Sequence, residues 1–305
     1  MNRQNRRGFL LGAGAFAVAG AVAVTADLEL HHSDRRGPGP GTPQRARPAS
    51  RTGVKPAHEI SGYLDSRFTR TRVGWTISVP RTTRTQRPLA IVYCLHGYHN
   101  DHRMAFDQIP LPQVAAAIGL PVVIAAVDGG QDSFWHRRAN GTDALAMLLK
   151  EFTPLVRDRV GPLPQAIMGW SMGGYGALLA AERTAEHTAG RTVQRFHAVA
   201  PASPALWLTP GATAPGAFDS PADFYANDVF TGVNSLRTMK VAVFCGTSDP
   251  FYDSTRHLVG LMNYPHEARF APGGHDDVYW RNIAPAQLHA IGTARGISKQ
   301  KHQDH

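Results

Sequence analysis

Cysteine is scarce in this chain, and no pattern of metal-binding residues stands in its place. Only two of the 305 residues are cysteines, Cys94 and Cys245, and both fall inside apolar runs that are typical of strands. We therefore expect two buried free thiols rather than a disulfide. Because the sequence also lacks C-x-x-C and H-E-x-x-H spacings, it predicts neither a metal nor an organic cofactor.

Acidic residues are fewer than basic ones, which leaves a formal net charge of +9. Such an excess favours a nucleic-acid partner only where the charge is clustered on the folded part of a protein. Here six of the nine net charges lie in the first 55 residues. The rest of the chain is only mildly basic, so we expect no nucleic-acid partner.

A targeting segment is predicted over residues 1–26. Arg6-Arg7 precede a weakly apolar, Ala- and Gly-rich run from Phe9 to Ala26, which is similar to a twin-arginine export signal with small residues for cleavage. An uncleaved membrane anchor is the alternative, because the run approaches the length of a bilayer span. Since Ala and Gly contribute little transfer energy, we favour cleavage and expect a secreted or cell-envelope protein.

Residues 27–57 are predicted to be a flexible Pro/Gly/Arg-rich linker, since they contain hardly any large apolar side chain. The pair His31-His32 within the linker lacks further metal ligands and is expected to be solvated. Residues 58–305 are long enough for one large domain with its own core.

Strand and helix patterns alternate along this domain. Strands are predicted at residues 71–80, 89–95, 121–127, 166–168, 196–200, 241–245 and 267–270. Helices are predicted at residues 113–118, 142–157 and 175–183. The alternation predicts an α/β fold with a mostly parallel central sheet and helices on both faces. Residues 202–235, rich in Pro, Gly, Asp and aromatics, are expected to form an irregular insertion above the carboxyl ends of the strands.

The most informative stretch is Gly169-Trp170-Ser171-Met172-Gly173-Gly174, which lies between a short apolar strand and a Gly/Ala/Leu-rich helix. A turn this tight strains the backbone of the serine, and the flanking glycines avoid collisions. The pattern and its context are those of a nucleophile elbow. Ser171 is therefore the predicted nucleophile, at a helix N-terminus whose partial positive charge favours a developing oxyanion.

Two further side chains are candidates to activate Ser171, in the chain order acid then histidine. Asp249 follows an apolar strand, and His275 lies in a glycine-rich loop after the last strand. Asp253 is the reserve candidate for the acid. The other histidines weighed by residue type lack the order and loop context of His275; they are His136, His257, His266 and His289.

The stretch Leu95-His96-Gly97-Tyr98 ends a buried strand and supplies backbone amides that can face a tetrahedral intermediate. We predict the amides of Tyr98 and Met172 as the two donors of an oxyanion hole. His96 and Gly97 are expected to be structural.

Together these motifs resemble one branch of the α/β-hydrolases, the group of esterase D, S-formylglutathione hydrolases and actinobacterial mycolyltransferases. The resemblance rests on Leu95-His96-Gly97, the elbow and Gly273-Gly274-His275-Asp276, and it spans about residues 60–292. By this resemblance, the residues expected to line the substrate site are Phe134, Trp135, His136 and Trp170. Mycolyltransferases tend to have Asp where His96 stands, and the thiol-adduct hydrolases lack an export signal, so the resemblance implies the scaffold rather than either substrate.

Three hypotheses follow from the sequence. The leading one is an exported serine esterase that acts on a small-molecule or lipid ester through a Ser171–Asp249–His275 triad. The second is an acyltransferase that passes the acyl group to a cell-envelope sugar or lipid. The third is a non-catalytic hydrolase fold that binds an envelope component. Aromatic residues that are candidates for an apolar acyl pocket are Trp135, Trp207, Phe218, Phe224 and Tyr225.

Overall fold

The computed structural model describes residues 55–81, 87–185 and 196–298. The expected export signal at residues 1–26 lies outside the described residues, as does the linker up to residue 54. The first described strand begins at Lys55, inside the segment that composition assigns to the linker.

Within the described residues, eight strands form one sheet. They are β1 (Lys55–Ser66), β2 (Thr71–Arg81), β3 (Ile91–Leu95), β4 (Val123–Val127), β5 (Gln165–Trp170), β6 (Phe196–Ala202), β7 (Lys240–Gly246) and β8 (Glu267–Ala271). Their spatial order is β1-β2-β4-β3-β5-β6-β7-β8, in which β2 runs antiparallel to β1 and β4 and the remaining neighbours are parallel. The expected mostly parallel sheet is confirmed, and the carboxyl ends of its parallel strands meet at one edge.

Helices cover the sheet. They are α1 (Leu111–Ala117), α2 (Ala144–Met147), α3 (Thr153–Val160), α4 (Met172–Ala185), α5 (Pro221–Ala226), α6 (Val229–Gly232), α7 (Tyr252–Leu261) and α8 (Asp277–Gly292). The single helix expected at residues 142–157 is α2 and α3 joined by a π-helical turn at Leu148–Phe152, and the Asp143 carboxylate caps its start by accepting from Ala146 N. The helices α7 and α8 are not predicted from the sequence.

The first two strands also differ from the expectation. The sequence does not predict β1, and it predicts β2 as half-exposed, whereas residues 73–78 of β2 are all buried. The polar side chains that create the apparent alternation include Thr76 and Ser78, which are buried on the second face of the sheet. Thr76 finds a partner there, since its Oγ1 lies 2.8 Å from Ser61 Oγ on β1.

The core consists of two apolar layers, one on each face of the sheet. Successive residues of β3 alternate between them: Tyr93 packs into one layer, while Val92 and Cys94 pack into the other. Cys94 and Cys245 are both buried and free, as expected, and burial raises the pKa of each thiol, that of Cys245 to about 12. Both thiols are therefore protonated and unreactive at neutral pH.

The insertion at residues 202–235 is more regular than expected. It contains α5 and α6 together with 3-10 turns at Pro210–Ala212 and Val233–Thr238. Among the residues described, we find no helix that is both long enough and apolar enough to span a bilayer.

Candidate active site

Ser171 occupies the sharp turn between β5 and α4, with a left-handed φ of 55° that serine rarely adopts. Neighbouring glycines make the turn possible: a side chain on Gly173 would collide with the Leu95 carbonyl, and one on Gly169 with the Gly173 carbonyl. The backbone of Ser171 is fastened on both sides, since its N–H donates to Ala202 O at 3.1 Å and its carbonyl accepts from the amide of Ala205 at 3.0 Å. The elbow expected from the motif is therefore formed.

The structure brings Ser171, His275 and Asp249 into one line of hydrogen bonds. His275 Nε2 lies 2.8 Å from Ser171 Oγ, and His275 Nδ1 lies 2.9 Å from Asp249 Oδ2. A carboxylate only accepts, so Nδ1 carries the proton and Nε2 is left to accept from the serine hydroxyl. This arrangement is the one that a hydroxyl nucleophile needs for activation.

The Asp249 carboxylate is fully buried, whereas 23% of the His275 side chain is exposed. Burial raises the pKa of Asp249, but hydrogen bonds from His275, Ser203 and the Phe251 amide outweigh that effect and leave the pKa below its usual range. The carboxyl group is thus ionised at neutral pH and can orient the imidazole. Asp253, the reserve candidate, is exposed in the first turn of α7.

The other histidines considered are used elsewhere. His257 and His289 are exposed on α7 and α8, and His266 is paired through Nδ1 with Tyr264 O at 2.8 Å. His136 is buried, with Nε2 at 3.2 Å from Asp223 Oδ2. Chain order and loop context therefore identified the histidine that meets Ser171.

The loop after β3 lies directly beside the elbow. A side chain built on Gly97 would lie 3.6 Å from Ser171 Cβ, so the peptide that follows Gly97 runs next to the candidate nucleophile. The amide of that peptide belongs to Tyr98, and the amide of Met172 directly follows Ser171 in the chain. The two predicted oxyanion donors thus belong to the two segments that meet at Ser171, and their role stays a prediction.

His96 fixes the direction of the Gly97–Tyr98 peptide. Its Nδ1 lies 2.8 Å from Gly97 O, and its Nε2 accepts from Gly129 N at 2.9 Å. One nitrogen must donate and the other must accept, so the ring is neutral with its proton on Nδ1; burial lowers the pKa of His96 accordingly. In a trans peptide the Tyr98 N–H points opposite to the Gly97 carbonyl that His96 holds.

The four side chains expected to line the substrate site are instead buried. Trp135 and Trp170 expose no surface, and His136 and Phe134 are 1% and 3% exposed. The Trp135 ring fills the space left by Gly129 and Gly176, and its Nε1 donates to His96 O at 3.3 Å. These rings have little or no accessible surface and pack behind the site, so their direct contact with substrate stays a prediction.

An aromatic wall leads from His275 into the insertion. The His275 ring lies 5.3 Å from that of Phe251, which in turn lies 5.3 Å from Trp207 and meets it edge to face. Trp207 continues to Phe134 at 5.6 Å and Phe218 at 6.2 Å. Of the residues expected to form an aromatic pocket, Trp207 and Phe218 lie in this wall, Phe224 packs on Phe218 at 5.1 Å, and Tyr225 is 64% exposed. That the wall binds an acyl chain stays a prediction. Sequence reasoning missed Phe251, although it stands two residues after Asp249.

A polar clamp fastens the insertion to the loop before α2. Arg138 donates to Asp219 Oδ1 at 2.9 Å and to Gly216 O at 2.8 Å, and the amide of Ala139 donates to the same carboxylate. His136 adds its bond to Asp223 and stacks on Phe218 at 5.0 Å. The clamp holds the aromatic wall above the elbow.

One cluster of described residues has the composition of a cation site. Ligand atoms of Asp101, His102 and Asp128 lie within 4.8 Å of one another, beside a cavity of about 450 Å³ that Asp128 helps to line. His102 Nδ1 already bonds to Asp128 Oδ1 at 2.7 Å, so the two atoms satisfy each other. None of the three residues belongs to the line of hydrogen bonds from Ser171 through His275 to Asp249.

A mostly parallel sheet with a serine at the strand–helix turn of β5 and α4 defines the class of protein as an α/β-hydrolase. Solved structures agree on the fold. A ferulic acid esterase has a TM-score of 0.65 at 20% identity, with 77% of this chain and 97% of that chain covered. The S-formylglutathione hydrolase of Agrobacterium tumefaciens has a TM-score of 0.64 at 14% identity, with 78% and 96% covered. A fluorophosphonate-binding serine hydrolase of Staphylococcus aureus has a TM-score of 0.60 at 20% identity, with 78% and 99% covered.

Within that class, the chain belongs to the Esterase family, whose model matches residues 66–290. The family is described as one of putative esterases. Esterase Rv1288 of Mycobacterium tuberculosis (strain H37Rv) is 28% identical over 251 residues, which cover 68% of this chain and 54% of the relative. The chain therefore spans about half the length of the curated relatives that it matches. The expected placement among the esterase group is confirmed.

Proposed function

We propose that the protein hydrolyses carboxylic esters through an acyl-enzyme on Ser171. His275 acts as the general base and general acid, and Asp249 holds the imidazole in the required tautomer. The observation that carries the proposal is the unbroken line of hydrogen bonds from Ser171 Oγ through His275 to Asp249. The strained elbow and the loop of Gly97 beside it give further support.

In the acylation step, Ser171 Oγ attacks the ester carbonyl carbon while His275 Nε2 takes the hydroxyl proton. The carbonyl electron pair moves onto the oxygen, where the amides of Tyr98 and Met172 donate to it. When the intermediate collapses, the bond to the alcohol oxygen breaks and His275 returns the proton to that oxygen. Water then attacks the acyl-enzyme by the same route and releases the acid and Ser171.

Substitution of the nucleophile tests the proposal. Ser171→Ala should reduce turnover of p-nitrophenyl acetate to background and abolish labelling by a fluorophosphonate probe. Ser248→Ala is a matched control, because Ser248 is exposed close to Asp249. Parental rates in the Ser171 variant would contradict the proposal, and a parental enzyme that neither labels nor turns over ester would favour a non-catalytic binding role.

The acceptor decides between hydrolysis and acyl transfer. We expect water to be the acceptor, so an ester series from acetyl to palmitoyl should release free acid whether or not trehalose is present. An acyl-sugar product that grows with trehalose concentration would identify a mycolyltransferase-like acyltransferase instead. The same series reports the acyl length that fits beside Trp207.

We also propose export through the twin-arginine pathway to the envelope or the medium. The support is the sequence of residues 1–26, with Arg6-Arg7 before the apolar run. In a bacterial host with that pathway, the full chain should appear outside the cytoplasm, and replacing both arginines by lysine should retain it inside. Unchanged export of the double variant would refute this route.

A further inference from the structure

A second serine shares the unusual backbone of Ser171. Ser203 directly follows β6, is fully buried, and has a left-handed φ of 46°. Its N–H donates to Phe244 O at 2.8 Å, so the neighbouring strand β7 holds the turn. Strained non-glycine residues of this kind persist where the surrounding structure fixes them, and they cluster at functional sites.

The Ser203 hydroxyl is bonded to a ring that touches the candidate base. Trp280 Nε1 donates to Ser203 Oγ at 3.0 Å. The Trp280 ring meets the His275 ring edge to face, with centroids 5.2 Å apart and planes at 83°. Ser203 therefore sets the position of the indole against which the imidazole packs.

We propose that Ser203 is a positioning residue that holds the Trp280 indole against the ring of His275. It does not touch the reacting atoms. The inference rests on the proposed function, since it assigns Ser203 a role only if Ser171, His275 and Asp249 act together.

The expected effect is on turnover rather than on binding. Without the hydroxyl, the indole loses its hydrogen-bond acceptor, and His275 is held less well for proton transfer. Misplacement of this kind costs about ten- to a hundredfold in rate.

Four variants test the proposal in the full chain. Ser203→Ala removes the hydroxyl, and Ser203→Gly removes it while also relieving the strained φ. Trp280→Phe keeps a ring beside His275 but removes the N–H donor. Ser78→Ala is the control, because Ser78 is a buried serine of the same sheet without a hydrogen-bond partner among the described residues.

Both Ser203 variants should lower kcat for p-nitrophenyl acetate about ten- to a hundredfold with KM unchanged. Trp280→Phe removes the same hydrogen bond and should lower kcat to a similar extent, whereas Ser78→Ala should leave kcat unchanged. Parental kcat in Ser203→Gly, which keeps the turn free of strain, would overturn the inference even if Ser203→Ala failed to fold. Turnover by Ser171→Ala would instead overturn the proposed function itself.

Discussion

His275 Nδ1 lies 2.9 Å from Oδ2 of Asp249, a carboxylate with no solvent-exposed surface. The bond fixes which nitrogen carries the proton and so leaves Nε2 facing Ser171 Oγ as an acceptor. A buried acid thus sets the protonation of a base that is itself partly exposed.

Replacing that acid should preserve the fold and remove most of the activity. Asp249→Asn presents an amide that can donate to Nδ1, which favours the wrong imidazole tautomer, and we expect kcat to fall by about ten-thousandfold. Asp253→Asn is the control, because its side chain is exposed and should leave kcat unchanged. Steady-state rates with p-nitrophenyl acetate give kcat for both variants. Equal losses of kcat in the two variants would show that Asp249 is not the acid that orients His275.

The elbow should not tolerate a methyl group on its second glycine. Gly173→Ala would push Cβ into the carbonyls of Leu95 and His96, which are backbone atoms and cannot swing away. We expect activity to be lost and the free energy of unfolding to fall by about 2–4 kcal/mol. Two effects contribute to this loss of stability: the collision of the added methyl group and the displacement of the strand that ends at Leu95. Gly260→Ala in α7 meets no atom within 4 Å and should be neutral or stabilising. Denaturant unfolding of the two variants distinguishes a local clash from a general intolerance of alanine.

Loss of the polar clamp should weaken the insertion. Arg138→Met removes the bonds to Asp219 and to the carbonyls of Gly216 and Ala217, and we expect unfolding to become easier by about 2 kcal/mol and KM to rise. Arg281→Met removes an ion pair with Asp277 whose side chains are both more than 40% exposed, so its effect should stay within about 0.5 kcal/mol. Indistinguishable stabilities would show that the clamp is not a constraint.

Stability should decline on acidification because two buried histidines are neutral in the fold. Burial lowers the pKa of His96 and of His136 from 6.5, so the unfolded chain binds more protons than the native state just below that pH. The stability that each neutral ring contributes is fully present above about pH 6.5 and is lost as the pH falls through the lowered native pKa. Over that range, the free energy of unfolding falls by at most about 1.4 kcal/mol per pH unit for each ring.

Unfolding free energies measured between pH 5 and pH 8 test this slope. His136→Gln should flatten it, whereas His289→Gln, on the exposed face of α8, should leave it as in the parent. An identical slope in the parent and in His136→Gln would show that His136 does not contribute to the pH dependence of stability.

The sequence predicted the parts of the site that depend on chain order. Ser171, Asp249 and His275 each follow a strand of the parallel sheet, and such strands bring their carboxyl ends to one edge whatever the loops do. The glycines of the elbow were equally readable, because the tight turn admits no larger residue on either side.

Contacts between distant segments were not predictable. Arg138 and Asp219 are 81 residues apart, and neither belongs to a periodic pattern that would pair them. Trp135 is buried because its ring packs closely on Gly176, and Trp170 is buried because it lies in the second apolar layer of the core. Residue type alone reveals neither contact. Thr76 and Ser78 of β2 are polar, so the sequence predicts that they face solvent, although both are buried by contacts with distant segments.

The clamp and the sheet are held by different forces. Salt screens the attraction between partly exposed charges such as Arg138 and Asp219, yet sulfate and similar salts strengthen the burial of apolar layers. A rise in the concentration of such a salt would therefore weaken the clamp that holds the insertion, while it stabilises the apolar layers on the two faces of the sheet. The insertion beside Ser171 should therefore respond to salt more strongly than the sheet that carries the serine.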